Sequence, residues 1–189
     1  MKRRTLLGWI CQAIAISCTA IVAFPAVQFV IAPLKKKKGK AATLQRVAQL
    51  PQLKTGEPQE FAIVGSRRDA WTVYANGQIG RVWLILRSEK GTPAKDAQVD
   101  AYSSVCPHLR CFVQMGADKE KFFCPCHKAV FQFDGEAVSS KTLGYTNPTP
   151  RGMDALECQV VQDEKTKEWW VEVKYEKFKT GLEKKVVET

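Results

Sequence analysis

The chain has only two histidines, His108 and His127, and each lies within two residues of a cysteine. The segments are Cys106-Pro107-His108-Leu109-Arg110-Cys111 and Cys124-Pro125-Cys126-His127, which together read C-x-H-x(15)-C-x-x-H with an extra cysteine in each box. Thiolate and imidazole are the side chains that hold soft and borderline metals, and two of each can bind zinc tetrahedrally. Zinc motifs more often pair C-x-x-C with H-x(3–5)-H, each pair on its own element. Here each box contributes one Cys and one His. A protein built this way must bring two loops together at one point.

The N-terminus sets a second constraint. Between Thr5 and Leu34 run 30 uncharged residues, mostly Ala, Ile, Val, Leu and Phe. A helix of that length spans roughly 45 Å, against the ~30 Å of a hydrocarbon core. Pro25 and Pro33 are expected to kink or end it, so the spanning part is placed at Leu6 to Ile31. A cleaved signal peptide would carry a shorter apolar region of about 7–15 residues. Residues 1–34 are therefore read as a retained signal/anchor helix in a single-pass topology. Arg3-Arg4 before Thr-Leu-Leu resembles a twin-arginine export signal, the route for folded, cofactor-loaded proteins. The lysines Lys35–Lys38 and Lys40 oppose that orientation by the positive-inside rule; the export signal is given precedence, with the N-terminus inside. Cys11 and Cys18 are plain apolar residues of this helix.

Charge follows the same division. Residues 1–40 hold eight basic side chains and no acidic ones, whereas the rest of the chain is nearly balanced, although the whole carries a formal +10. A nucleic-acid binder carries its basic face on the folded domain, so that class is excluded. Residues 35–59 read as a flexible basic tether near lipid headgroups. From 60 to 178 the pattern is all-β. Phe61–Val64, Trp71–Tyr74, Arg81–Arg87, Ala97–Val105, Ala129–Phe133, Leu156–Gln162 and Trp169–Tyr175 are β-branched or aromatic runs separated by Gly, Asn, Asp and Pro. Asn76-Gly77 and Asp134-Gly135 read as turns, and Asp163–Lys167 as a polar one. Cys158 sits in an apolar run and reads as a buried thiol. Residues 179–189 form a charged tail, read as a solvated extension. With 45% hydrophobic residues, the chain is long enough to bury a core.

The two boxes resemble those of the Rieske iron–sulfur proteins, in which two His replace two Cys on one iron of a [2Fe–2S] cluster. The resemblance to the cytochrome bc type covers the anchor, the tether, a base sandwich and an inserted cluster-binding subdomain at about 104–151. It includes a proline-rich third loop, Gly144–Arg151, with Pro148 and Pro150. It implies Cys106 and Cys124 on one iron, His108 and His127 on the other, and a disulfide between Cys111 and Cys126. His127 would face quinol, with His108 and Leu109 on the same exposed tip. The partners implied are cytochrome b, a c-type cytochrome, quinol and membrane lipid. The cluster domain would lie on the periplasmic, positive side of a bacterial energy-transducing membrane, as a subunit of a quinol:cytochrome c oxidoreductase. The other reading is the small Rieske subunit of an exported molybdenum oxidase such as arsenite oxidase.

The second box departs from the high-potential members, which continue His-Gly-Ser-x-Tyr. This chain reads His127-Lys128-Ala129-Val130-Phe131. The Ser and Tyr hydroxyls bond cluster or ligand sulfurs in those relatives, and both are absent at Ala129 and Phe131. Losing them makes the reduced, more negative cluster less stable and lowers the potential. That matches menaquinol rather than ubiquinol.

Overall fold

The computed structural model describes residues 3–34, 42–69 and 72–188. Lys2, the lysines of 35–40 and Trp71 lie outside them. Two compact units are distinguished, one made of the N-terminal segment with Arg68–Tyr74, the other of the remaining described residues.

Helix α1 runs over Arg3–Ile31. Its 29 residues span about 43 Å, and it is long and apolar enough to cross a membrane, with a mean hydropathy of 2.2 in its best window. Ser17 and Thr19 return their hydroxyls to the carbonyls of Ala13 and Ala15, both at 2.8 Å. Such back-bonding hides polar groups that a lipid phase would leave unsatisfied. The helix continues through Pro25 and ends at Ile31, with Pro33 in the 3-10 turn Ala32–Leu34. Pro25 forfeits one hydrogen bond, a smaller loss than opening the backbone in apolar surroundings.

Among the described residues the strands group into three small sheets. Strands β1 (Leu44–Gln49), β9 (Trp169–Lys174) and β8 (Glu157–Gln162) form the first; β2 (Gln59–Asp69), β3 (Thr72–Leu86) and β4 (Val99–Ser103) the second; β5 (Gln114–Met115), β6 (Phe122–Cys124) and β7 (Ala129–Phe131) the third. The expected all-β architecture with an inserted subdomain is the one observed. Strand β3 is the shared wall. Side chains alternate across a strand, so Val82 and Leu84 enter one core with Ala48, Ile63, Val171 and Val173. Trp83 and Ile85 enter a second core with Phe122, Phe131, Cys106 and Cys124. A strand buried on both faces needs an unbroken apolar run, which Val82-Trp83-Leu84-Ile85 supplies. The Trp83 indole N–H donates to the Val113 carbonyl at 3.2 Å, and its ring tilts on Phe122 with centroids 5.0 Å apart.

Three expectations are corrected. The tether does not reach residue 59: β1 pairs with β9, Leu44 opposite Lys174 and Gln49 opposite Trp170. Ala48, Leu50 and Leu53 are buried in the first core. The segment is too short to declare a period, and the free edge of β9 supplies the hydrogen bonds that make it a strand. Asn76-Gly77 is no turn, because both residues lie inside β3, which is continuous from Thr72 to Leu86 and neighbours β2. The tail is exposed over residues 181–188 as expected but is not a free extension: Phe178 just before it is buried, Lys179 donates its N–H to the Val186 carbonyl at 2.9 Å, and Glu188 donates to the Lys177 carbonyl at 2.7 Å.

The other turns stand as read. Gly135 has φ of +83°, and a Cβ there would meet the Tyr102 ring at 2.5 Å, so only glycine closes the turn after Asp134. The Asp163 carboxylate accepts the N–H groups of Lys165 and Thr166, each at 2.8 Å. These donors and Arg46 hold it at about 2, well below the usual carboxylate range.

Candidate metal centre

Two loops with the same backbone device carry the boxes. The first joins β4 to β5. Its Arg110 N–H closes on the Cys106 carbonyl at 3.1 Å, and Arg110 takes a positive φ of 65°. The second joins β6 to β7. Its Lys128 N–H closes on the Cys124 carbonyl at 3.0 Å, and Lys128 takes φ of 61°. Each loop is thus a Cys-Pro turn ended by a left-handed residue four positions on. The first loop is also pinned at its base, where the Cys106 N–H donates to the Cys111 carbonyl at 2.7 Å and Val113 to Ser104 at 2.8 Å.

A left-handed residue with a Cβ is strained by roughly 1–2 kcal/mol, so the glycine of high-potential relatives has a conformational reason at position 128. Lys128→Gly is expected to raise stability by up to about 1 kcal/mol, read as a higher unfolding midpoint.

The loops sort their donors. Cys106 and Cys124 are both buried, side by side in the second core. Burial pushes the Cys106 thiol up to about 12, and the Cys124 sulfur next to it adds to the rise. Thiolates held side by side in an apolar core need a cation between them, which is the condition a bound metal provides. The histidines pair separately and nearer to solvent. The His108 and His127 rings meet edge to face with centroids 4.7 Å apart; His108 is half-buried and His127 exposed. Each pair takes one member from each loop.

Cys111 and Cys126 are joined in a disulfide that links the loops across 6.5 Å between Cα atoms. Their sulfurs lie within 4.8 Å of that of Cys124. Bonded to each other, they are not free ligands; they staple the two loops beside the buried thiols.

The remaining expected positions divide by burial. Leu109 is 58% exposed and Lys128 is exposed, both at the loop tips. Ala129 and Phe131 are fully buried, packed in the same core as Cys106 and Cys124. Pro148 and Pro150 are half-buried. Their neighbours make the contacts that tie the third loop to the second. Tyr145 donates its hydroxyl to the Lys128 carbonyl at 2.9 Å. The Asn147 amide donates to the carbonyls of Val130 and Val138 at 2.9 and 2.8 Å, and its oxygen accepts the Val130 N–H. Sequence reasoning missed both; a polar amide inside a proline-rich loop was the available signal, since such a group needs buried partners. Asn147→Ala strips these bonds from the strand behind the second box and is expected to cost about 2 kcal/mol, visible in thermal unfolding.

Comparison with known proteins gives a consistent result. Residues 43–150 match the Rieske [2Fe-2S] domain family. The menaquinol:cytochrome c reductase iron–sulfur subunit of Bacillus subtilis (strain 168) is 30% identical over 141 residues, covering 73% of this chain and 77% of the relative. The subunit of the same name from Geobacillus thermodenitrificans is 29% identical with the same coverage. Among solved structures, the cyanobacterial plasma membrane Rieske protein of Synechocystis PCC 6803 is 25% identical, covering 49% of this chain and 76% of that one at a TM-score of 0.33. The likeness therefore rests on the sequence matches.

Proposed function

This chain belongs to the Rieske [2Fe-2S] domain family, and from that premise we propose that it is the electron-transfer subunit of a cytochrome-bc-type complex, taking electrons from menaquinol and passing them to a c-type cytochrome. The carrying observation is the sorting of donors, thiol with thiol in the buried interior and imidazole with imidazole toward solvent. Cys106 and Cys124 are suited to hold one iron and His108 and His127 the other, the two-plus-two ligation that separates a Rieske centre from a four-cysteine one.

When bound, the cluster supplies one-electron acceptance at a potential raised by the neutral imidazoles. The chain's own residues do the rest. Exposed His127 presents to a quinol hydroxyl the ring nitrogen not used for iron, which would accept the hydroxyl's hydrogen bond and proton once its own N–H proton has been lost. Leu109 covers the tip with apolar surface, so the two rings meet a hydrophobic ligand without intervening water. The disulfide keeps the loops in register and suits an oxidising compartment. Helix α1 serves as a single-pass anchor, with the folded domain on the periplasmic side of the membrane.

The menaquinol assignment rests on Ala129 and Phe131. Both lie buried beside the cysteines without a hydroxyl to give, which favours a low potential, and the two bacterial relatives carry menaquinol in their names. Protein-film voltammetry of the full chain in detergent tests the reading. The expected wave is one-electron, lies below that of ubiquinol-linked relatives, and shifts downward as pH rises through neutral and alkaline values. A high midpoint would remove menaquinol. A redox-silent protein containing zinc would remove the cluster itself.

A further inference from the structure

We infer that the C-terminal segment Lys177–Glu188 is a strap that positions the first metal-binding loop, and that Arg151, Gly181 and Glu188 are its positioning residues. The segment folds back on itself, with Phe178 bridged to Val187. Phe178 is buried in the first core, with the Lys185 ammonium 4.6 Å from its ring centroid. This anchors one side of the strap in the base of the domain.

The other side reaches the loop. Gly181 turns with φ of +74° and donates its N–H to the Pro107 carbonyl at 2.8 Å. That carbonyl belongs to the peptide joining Pro107 to His108, so the bond fixes the plane from which the His108 side chain departs. Two residues further on, Arg110 makes a bidentate pair with Glu188 at 3.0 and 2.9 Å. An exposed pair of this kind contributes little stability alone, but its fork geometry fixes direction.

Arg151, at the end of the third loop, locks the strap from behind. Its guanidinium is held by Asp154 through two bonds of 2.9 and 2.8 Å, and both side chains are at most 10% exposed. From there it donates to the carbonyls of Lys179 and Leu182. An arginine with its donors filled in a buried site has one orientation. The connections close a ring: first loop to strap through Pro107 and Arg110, strap to third loop through Arg151, third loop to second through Tyr145 and Asn147, and second loop to first through the disulfide. The covalent staple therefore has a non-covalent counterpart on the opposite side of the first loop.

This inference rests on the proposed function only in placing the cluster against that loop. The test uses the full chain in detergent, a version ending after Lys179 that retains buried Phe178, and the milder Glu188→Gln and Arg151→Lys. Amide exchange is followed by mass spectrometry in peptides covering 105–112 and 122–131, alongside the spectrum and midpoint of the reduced protein. Shortening is expected to speed exchange in 105–112 about tenfold, in keeping with the loss of one or two hydrogen bonds. Exchange in 122–131 should stay unchanged, the reduced spectrum and midpoint should shift, and the two substitutions should give smaller effects of the same sign. Unchanged exchange in 105–112, uniform acceleration in both peptides, or local acceleration with spectrum and midpoint intact would each overturn the strap. Absence of any cluster signal from the unaltered chain would instead overturn the ligand assignment; the exchange result would still judge the strap.

Discussion

Cys124→Ser is expected to give a folded protein with no iron–sulfur absorption, whereas Cys158→Ser keeps the full signal. Burial separates them only in degree, Cys124 being buried and Cys158 half-buried, and does not decide which of them holds iron. Surroundings do. Cys124 lies against a second sulfur, at the meeting point of two loops and within 4.8 Å of the disulfide. A serine hydroxyl there remains neutral and cannot replace a thiolate on iron. The disulfide and the packing of Trp83, Phe122 and Phe131 are untouched, so the loss concerns loading rather than folding. Cys158 donates its S–H to the Val99 carbonyl at 2.9 Å, and burial pushes its thiol up to about 11. It stays protonated and serves as a small apolar residue. Iron and sulfide analysis with visible circular dichroism reads both variants. A cluster retained in Cys124→Ser would show that the ligand set is wrong.

The second large effect concerns potential. Ala129→Ser combined with Phe131→Tyr is expected to raise the midpoint by about 100 mV. A hydrogen bond to a charged acceptor contributes about 1.5 kcal/mol, and about 59 mV corresponds to a tenfold change in a one-electron equilibrium. Two such donors fall slightly short of twice that figure because neighbouring bonds are not additive. The sign follows from charge: the reduced cluster is the more negative state, so donors favour it. Both positions are fully buried, which provides an internal check. A hydroxyl that finds sulfur shifts the potential with stability preserved. One that finds nothing lowers stability by about 1–3 kcal/mol as an unsatisfied buried group and leaves the midpoint alone, and that result would remove the structural reason for a low potential. Lys128→Gly takes a cation from the loop tip and is expected to move the midpoint the other way.

Much of this was legible along the chain, because the informative features are local. The boxes are short, their residue types have few other uses at that spacing, and every histidine is accounted for. The apolar run announces a helix by length alone. The strands Phe61–Val64, Leu156–Gln162 and Trp169–Tyr175 declared themselves because alternation and β-branching agree with their burial. The errors came where local signals conflict with distant pairing. Asn76-Gly77 has turn chemistry, yet β2 supplies an extended partner and the pair lies within a strand. The segment Leu44–Gln49 has no pattern of its own and becomes a strand because β9 has an open edge. The tail 179–189 is rich in lysine and glutamate and read as solvated; residues 181–188 are exposed, but the contacts that tie the segment down went unread. Phe178, Gly181 and Glu188 each meet partners far away in sequence.

The composition and spacing of the chain settle which donors exist, how many thiols and imidazoles can reach a metal, and that a long apolar helix precedes the domain. These follow from covalent order, which no packing can alter. Packing alone decides which donor stands beside which. It buries sulfur with sulfur and leaves the two rings toward solvent, because thiols are tolerated in the apolar core that Trp83, Phe122 and Phe131 build, whereas imidazole keeps a polar nitrogen that needs water or a ligand. It likewise decides that the tail closes over the first loop, since the Pro107 carbonyl, the Arg151 guanidinium and the Gly181 amide find one another only after the three sheets have stacked.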